Sequence, residues 1–356
     1  MFFLNIISGY ILPIIYDSAV GLIMAFAVLF IFRIKDPNIR ILFFMLPLLK
    51  PFLIIIEKVD INELYFQTQT FRGTSGVRFP DPSGIIKFDD GFRQGPKILF
   101  SNPNYLILAV ILSAIFALLI VRWTTLALFF RRLAYERKVT RKEAPQFYEI
   151  IDDYVARTKT AAPDVSLTSK NYVSPFIVGV RRFTLVIFPE LLERLNKSEK
   201  ETLIQHELSH IKRKDNLIGW FALILKDLNF FNPFAYIAYS LIRSEQEKAC
   251  DKLVVRYSGK SPKEVAKDVL NSILKLNLIL SPTNRLIPMP SSTFSIVKIF
   301  NQKRLENRIN STIRTDPAKI YSRIAPKVLM ALLFLLLLFI QIMFVFKLGD
   351  IIFVLR

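Results

Sequence analysis

Apolar residues in this chain gather in long runs, separated by stretches of a different pattern. Four runs stand out: Tyr10 to Phe32, Ile39 to Ile56, Asn104 to Val121 and Val328 to Phe346. A helix needs about 20 apolar residues to cross a bilayer, so the pattern predicts four spans. The first has no positive flank before it and reads as an uncleaved span, not a signal peptide. The second is short and interrupted by Pro47, Lys50 and Pro51, and the third can continue past Arg122 to Phe130. Asp17 and Lys50 fall inside spans at similar depth, about 10 Å from the outer side at roughly 1.5 Å per residue. An unpaired charge there would cost at least a few kcal/mol, so the two are expected to pair.

Between the third and fourth runs the periodicity shortens. Residues 164–168 and 176–188 read as strands, the second interrupted at Gly179-Val180-Arg181-Arg182. An edge strand at Thr184–Phe188 could hold a peptide in extended form by backbone pairing. Ser198-Glu199-Lys200-Glu201 looks like a capping-box start, and Leu203, Ile204, Leu208 and Ile211 form a helical apolar stripe. Leu217 to Ile242 is apolar but broken by Lys226, Asp227, Asn229, Asn232 and Pro233, and neither half can span a bilayer. Asn232-Pro233 reads as an N-cap followed by a first helical residue. The expectation is a helical hairpin over 217–242 that dips into or lies on the inner leaflet; a hydrophobic hairpin in a soluble core is the plainer alternative.

Charge then orients the spans. The chain of 356 residues carries 48 Lys plus Arg against 29 Asp plus Glu, net +19. Basic residues flank the spans at Arg33, Lys35 and Arg40, at Arg131 through Lys142, and at Lys319, Arg323 and Lys327. These flanks are expected in the cytosol, with both termini outside. The 57–103 connection holds six basic and six acidic residues and reads as an external loop. Residues 131–327 carry +15 of the net charge, so the basic excess reports topology, and direct nucleic-acid binding is not expected. The resulting organisation is three spans in 1–130, a cytosolic domain in 131–327, and a fourth span with a short external tail in 328–356.

The single Cys excludes a disulfide framework and any Cys-rich zinc or iron–sulfur site. Both histidines fall in one pentapeptide, His206-Glu207-Leu208-Ser209-His210. On a helix, positions i and i+4 share a face, so the two imidazoles can bind one ion, and Glu207 can reach a water at that ion without being a ligand. Zinc needs a third protein ligand, and with no other His the default is a carboxylate. Glu247 is the best placed, with Glu245 as runner-up. Asp251, one turn past Glu247, could hydrogen-bond the far nitrogen of a liganding His; Asp215 is a second such candidate, or else a solvated partner of Lys212 or Lys214. Cys250 reads as a small buried neighbour. Zinc lowers the pKa of its water to about 7 while Glu207 accepts and passes on a proton. The sequence identifies no oxyanion donor: Tyr257, Arg256, Arg181 and Arg182 are candidates, and each is more often a plain surface or core residue.

The Ser174-Pro175-Phe176-Ile177-Val178-Gly179 stretch, Pro189-Glu190, the histidine motif with Arg213 and Asp215, Phe231-Asn232-Pro233 and Glu247-Lys248-Ala249-Cys250-Asp251 together resemble membrane metallopeptidases of the BlaR/MecR type. The resemblance implies a multi-pass α-helical membrane protein of four spans with a cytosolic α+β, zincin-like metallopeptidase domain. It implies His206, His210 and Glu247 as ligands of Zn2+ and Glu207 as general base. It also implies limited proteolysis, of the chain itself or of a cytosolic transcriptional repressor, with Pro288–Gln302 as a candidate self-cleavage loop. Partners would be a protein or peptide substrate, the lipid bilayer and a second copy in a homodimer. Such receptors continue past the fourth span into a penicillin-binding sensor domain, whereas this sequence ends at Arg356, so β-lactam sensing is not expected. Two other readings stand beside it: a housekeeping quality-control peptidase of the membrane, and a signalling scaffold without catalysis.

Overall fold

The computed structural model describes residues 11–49, 103–168, 175–279, 298–316 and 328–339. Lys50, most of the 57–103 loop, Ser174 and residues 288–297 lie outside the described residues, so the Asp17–Lys50 pair and most of the candidate self-cleavage loop do too.

Among the described residues, two helices are long and apolar enough to cross a membrane. They are α1 (Leu12–Ile31) and α2's successor α3 (Pro103–Ala134); α2 itself spans Pro37–Phe44. Shorter apolar helical stretches run over Pro37–Leu49 and Val328–Phe339. Between Leu106 and Val121 α3 exposes a largely apolar surface, with Leu118 at 69% and Val110 at 60%, which water does not tolerate over such an area. It is longer than the predicted third span because Arg122 does not end it. The Arg122 guanidinium and the Trp123 indole both donate to Oδ2 of Asp227, at 3.1 and 3.0 Å. α2 opens on Asp36, whose carboxylate accepts the Asn38 N–H at 2.9 Å, with Pro37 in the first turn.

A four-stranded sheet has the order β1-β2-β4-β3, built from β1 (Lys138–Val139), β2 (Asp164–Leu167), β3 (Phe176–Val178) and β4 (Thr184–Ile187). β2 and β4 run parallel with Val165 opposite Leu185, while β3 lies antiparallel to β4 with Ile177 opposite the same leucine. All four residues of β4 are buried, as a central strand requires. This corrects the expected edge at Thr184–Phe188: β3 is the edge there. The Asn216 side-chain amide donates to the Ile177 and Gly179 carbonyls, both at 3.0 Å, so that edge already has a partner.

α4 (Pro145–Thr158) and α6 (Lys197–Arg213) pack beneath the sheet; α5 (Pro189–Arg194) precedes α6. Ile204, Leu208 and Ile211 of α6 join Ile151, Tyr154, Val165, Leu185 and Ile187 in one core, and the Tyr154 hydroxyl meets Ser209 Oγ at 2.7 Å. The capping box at the start of α6 is Asn196 with Glu199, two residues earlier than the sequence suggested. Ser198 instead donates to Asp268 at 2.6 Å. Asp268 and Lys275 of α9 (Pro262–Ile279) thereby clamp the N-terminal turn of α6, Lys275 through Glu199.

The apolar stretch 217–242 is helical on both arms, as α7 (Asp215–Leu228) and the first half of α8 (Pro233–Tyr257). Asn232 caps α8 as expected, accepting from Phe234 N at 3.0 Å. The second arm does not end at Ile242: α8 runs on through Glu247 and Asp251 as one rod of 25 residues. The small residues Ala222, Ala235 and Ala238 let the hairpin approach α1, α2 and the Val328–Phe339 helix closely, in a core with Leu22, Ala25, Phe43, Phe44 and Phe334. Asn232 donates to Ser18 Oγ at 2.7 Å, and Ser18 donates to the Pro47 carbonyl at 3.1 Å. The candidate spans and the helix bearing Glu247 are therefore one packed body. Finally, α10 (Lys298–Ile313) lies on α8 and α9 through Ile309. Its start makes Lys298–Gln302 helix, not loop.

Candidate metal centre

α6 and α8 bring the site together. The 3.6-residue period that puts Ile204, Leu208 and Ile211 on the core side turns His206 and His210 toward α8. α6 ends at Lys214, which takes left-handed backbone (φ 57°), and α7 starts at once with Asp215. That sharp break swings the Asp215 carboxylate back onto the last turn of α6. Its Oδ2 lies 3.0 Å from Nδ1 of His210 and accepts the Arg213 Nε–H at 2.9 Å. Asp215 thus pairs with Arg213 and His210, not with Lys212 or Lys214.

α8 supplies the facing carboxylates. Oε2 of Glu247 stands 3.2 Å from Nε2 of His206, and its Oε1 stands 3.9 Å from Nε2 of His210. One turn on, Oδ1 of Asp251 stands 2.9 Å from Nδ1 of His206. Both imidazoles are therefore held at Nδ1 by a carboxylate, which leaves both Nε2 atoms facing Glu247. The ligand atoms of His206, His210 and Glu247 all lie within 4.8 Å of one another, and all three residues are buried. Two imidazole nitrogens, one carboxylate oxygen and an outer carboxylate behind each imidazole make a donor set that fits zinc.

Burial and charge set the protonation of the group. Burial and the Arg308 charge push the His206 pKa down, but its bonds to Asp251 and Glu247 outweigh them and lift it to about 10. Burial alone would raise Glu247 and Asp251, yet Arg308 and His206 hold Glu247 well below the usual carboxylate range and Asp251 at about 2. The two carboxylates are therefore ionised and balanced by the His206 imidazolium and the Arg308 guanidinium. Glu207, beside His206 and likewise buried, has its carboxyl pushed up by burial, with the two histidines pulling the other way. Burial pushes the Cys250 thiol well up, so it stays protonated and serves as a neighbour at 3.3 Å from Asp215 Oδ2, as expected from its size.

Glu245 is not part of the set: it is buried against Arg40 at 3.0 Å and Lys248 at 2.8 Å. The four residues considered as oxyanion donors make other contacts or face solvent, as surface or core residues do. Tyr257 packs on Tyr154, Arg256 stacks on Tyr257, and Arg181 and Arg182 are exposed in the β3–β4 turn. The sequence reading missed Arg308. From α10 it reaches Glu247 at 2.9 Å and Asp251 at 2.7 Å. Nothing in its own stretch of sequence sets it apart from the other basic residues of the chain.

Residues 94–310, more than half of the chain, match the family described as BlaR1 peptidase M56. The chain belongs to that family. Membership puts it among membrane-associated metallopeptidases and agrees with the two apolar helices and the buried His/Glu cluster. Among relatives, it is 32% identical over 88 residues to the methicillin resistance mecR1 protein of Staphylococcus aureus, a stretch covering 25% of this chain and 15% of that protein. It is 30% identical over 145 residues to the regulatory protein BlaR1 of Bacillus licheniformis, covering 41% of this chain and 22% of the relative. A protease HtpX homolog of Streptococcus pyogenes serotype M5 is 30% identical over 138 residues, covering 38% of this chain and 45% of that one. The matched stretches thus span less than half of each relative.

Proposed function

We propose that this chain is a membrane-embedded zinc metalloendopeptidase that acts in signal transduction by limited proteolysis of itself or of a cytosolic repressor. In this reading His206, His210 and Glu247 hold the zinc, Asp251 and Asp215 orient the two imidazoles, and the peptidase domain faces the cytosol with both termini outside. The observation that carries it is the double anchoring at Nδ1, which turns both Nε2 atoms toward one buried carboxylate. Zinc bound there would polarise the scissile carbonyl and acidify a water. Glu207 takes the proton of the attacking water and returns it to the leaving amine, and its burial makes it a stronger proton acceptor than an ordinary carboxylate. The basic flanks at Arg33–Arg40 and Arg131–Lys142 support the cytosolic placement.

The likeness to an HtpX homolog favours a second reading, a housekeeping protease of membrane protein quality control. Both are tested by comparing the proteomes of cells carrying wild type or Glu207→Gln. One or a few proteins, a repressor among them, should persist uncleaved in the variant. A broad rise of damaged membrane proteins would favour the housekeeping reading, and identical proteomes with undiminished cleavage would sink both.

A further inference from the structure

Arg308 sits 102 residues after His206, on α10, yet its guanidinium reaches the centre of the site. Nε donates to Oδ2 of Asp251 at 2.7 Å and Nη2 to Oδ1 at 2.8 Å, a two-point fork on one carboxylate. Nη1 stands 2.9 Å from Oε2 of Glu247, and Nη2 stands 3.3 Å from Nε2 of His206. Thr312, one turn further along α10, places its hydroxyl 3.3 Å from the same Asp251. The helix is fixed independently, because Ile309 packs against Val254, Val255, Val265 and Val269. The side chain is only 13% exposed, so this is a held group and not a mobile surface charge. A planar guanidinium can serve two carboxylates at set angles in this way, whereas an ammonium cannot.

The chemical consequence falls on Glu247. A carboxylate beside a divalent ion can bind through one oxygen or through both. Two imidazoles with a one-oxygen carboxylate leave the fourth zinc position open for water and substrate; a two-oxygen carboxylate would fill it. We propose that Arg308 is a positioning residue of the metal site, engaging Oε2 of Glu247 so that this carboxylate presents a single oxygen to zinc. The proposal rests on the zinc reading above. It makes α10 a working part of the site: the same guanidinium that limits Glu247 also steadies Asp251, the residue that orients His206.

The test uses the full chain in detergent with cobalt(II) as the probe, since cobalt absorbs visible light strongly when four-coordinate and weakly when five- or six-coordinate. Wild type should show strong bands. Arg308→Met should still bind cobalt, but with weakened bands as Glu247 turns two-oxygen, and its zinc form should lose about 10–100-fold in kcat/KM. Arg308→Lys keeps the charge without the fork and should weaken the bands in the same direction. It carries the comparison if Arg308→Met does not fold. Unchanged bands in a folded variant would overturn the proposal. So would loss of cobalt from a folded variant, because the guanidinium would then be holding the ligand set together and not restricting one member of it. A wild-type chain that binds no cobalt would instead remove the zinc reading itself, and the two failures are distinct.

Discussion

Oδ1 of Asp251 lies 2.9 Å from Nδ1 of His206, and the two residues are 45 positions apart on different helices. This one contact fixes both the ring's orientation and which of its nitrogens faces Glu247. Asp251→Asn can keep the shape but not the charge. Metal affinity should fall about 10–100-fold while the fold stays intact. Competition with a chelator measures it, and equal retention of metal by the variant would show that His206 is oriented by something else.

Gly179 sits at the turn between β3 and β4 with φ +105°, a conformation that side chains rarely adopt. A Cβ placed there would come within 1.9 Å of the Arg182 carbonyl oxygen, so the turn itself would have to move. Gly179→Ala should destabilise the chain by about 1–3 kcal/mol, a strain typical of such positions. Thermal unfolding of the full chain in detergent reads it out. Because the Gly179 carbonyl also accepts from Asn216, the change should loosen the start of α7 as well.

Asn232 has no exposed surface and has two partners: Phe234 N, as a helix cap, and Ser18 on α1. Removing a cap costs about 1 kcal/mol, and a buried hydrogen bond about 0.5–1.5 kcal/mol. Asn232→Ala should therefore lower stability by about 2 kcal/mol. Combined with Ser18→Ala, the loss should be less than the sum of the two single changes, since they share a bond. Full additivity in the unfolding experiment would mean that the α1–α8 contact does not form.

Asp268 predicts how the domain responds to acid. Burial pushes its carboxyl up, but Ser198, Thr202 and Lys260 outweigh that and hold it below its ordinary value. A folded pKa below the unfolded one, about 3.9, stabilises the fold fully above that value. The contribution is lost as pH falls through the folded pKa. Wild type should thus lose stability below about pH 4 more steeply than Asp268→Asn, measured by unfolding across that window. Equal slopes would show that the clamp on α6 does not depend on the Asp268 charge.

Much of the site was legible because its geometry is local. His206 and His210 lie one helical turn apart, as do Glu247 and Asp251, so a helix period alone places each pair on one face. Asp215 was legible as a candidate, but its partner was not. That depended on the left-handed Lys214, a residue type that rarely takes such backbone. The capping box shifted by two residues because Asn196 and Ser198 are both good caps, and only the Ser198–Asp268 contact across 70 residues separates them. β4 was misplaced as an edge because a short apolar strand reads the same at an edge or a centre until its neighbours are known.

The sequence by itself determined what depends on spacing along one element: the long apolar runs, the charge that flanks them, and a helix with two histidines on one face. It could not choose among acids or arginines brought in from afar. Glu245 and Glu247 differ by two positions, and rotation about the α8 axis alone sends one to Arg40 and the other to the histidines. Arg308 entered only through the packing of α10 on α8 and α9, a contact between side chains distant in the chain. Hydrophobic periodicity is a local property, whereas the pairing of buried charges is settled by which helices share a core, and that only the tertiary structure decides.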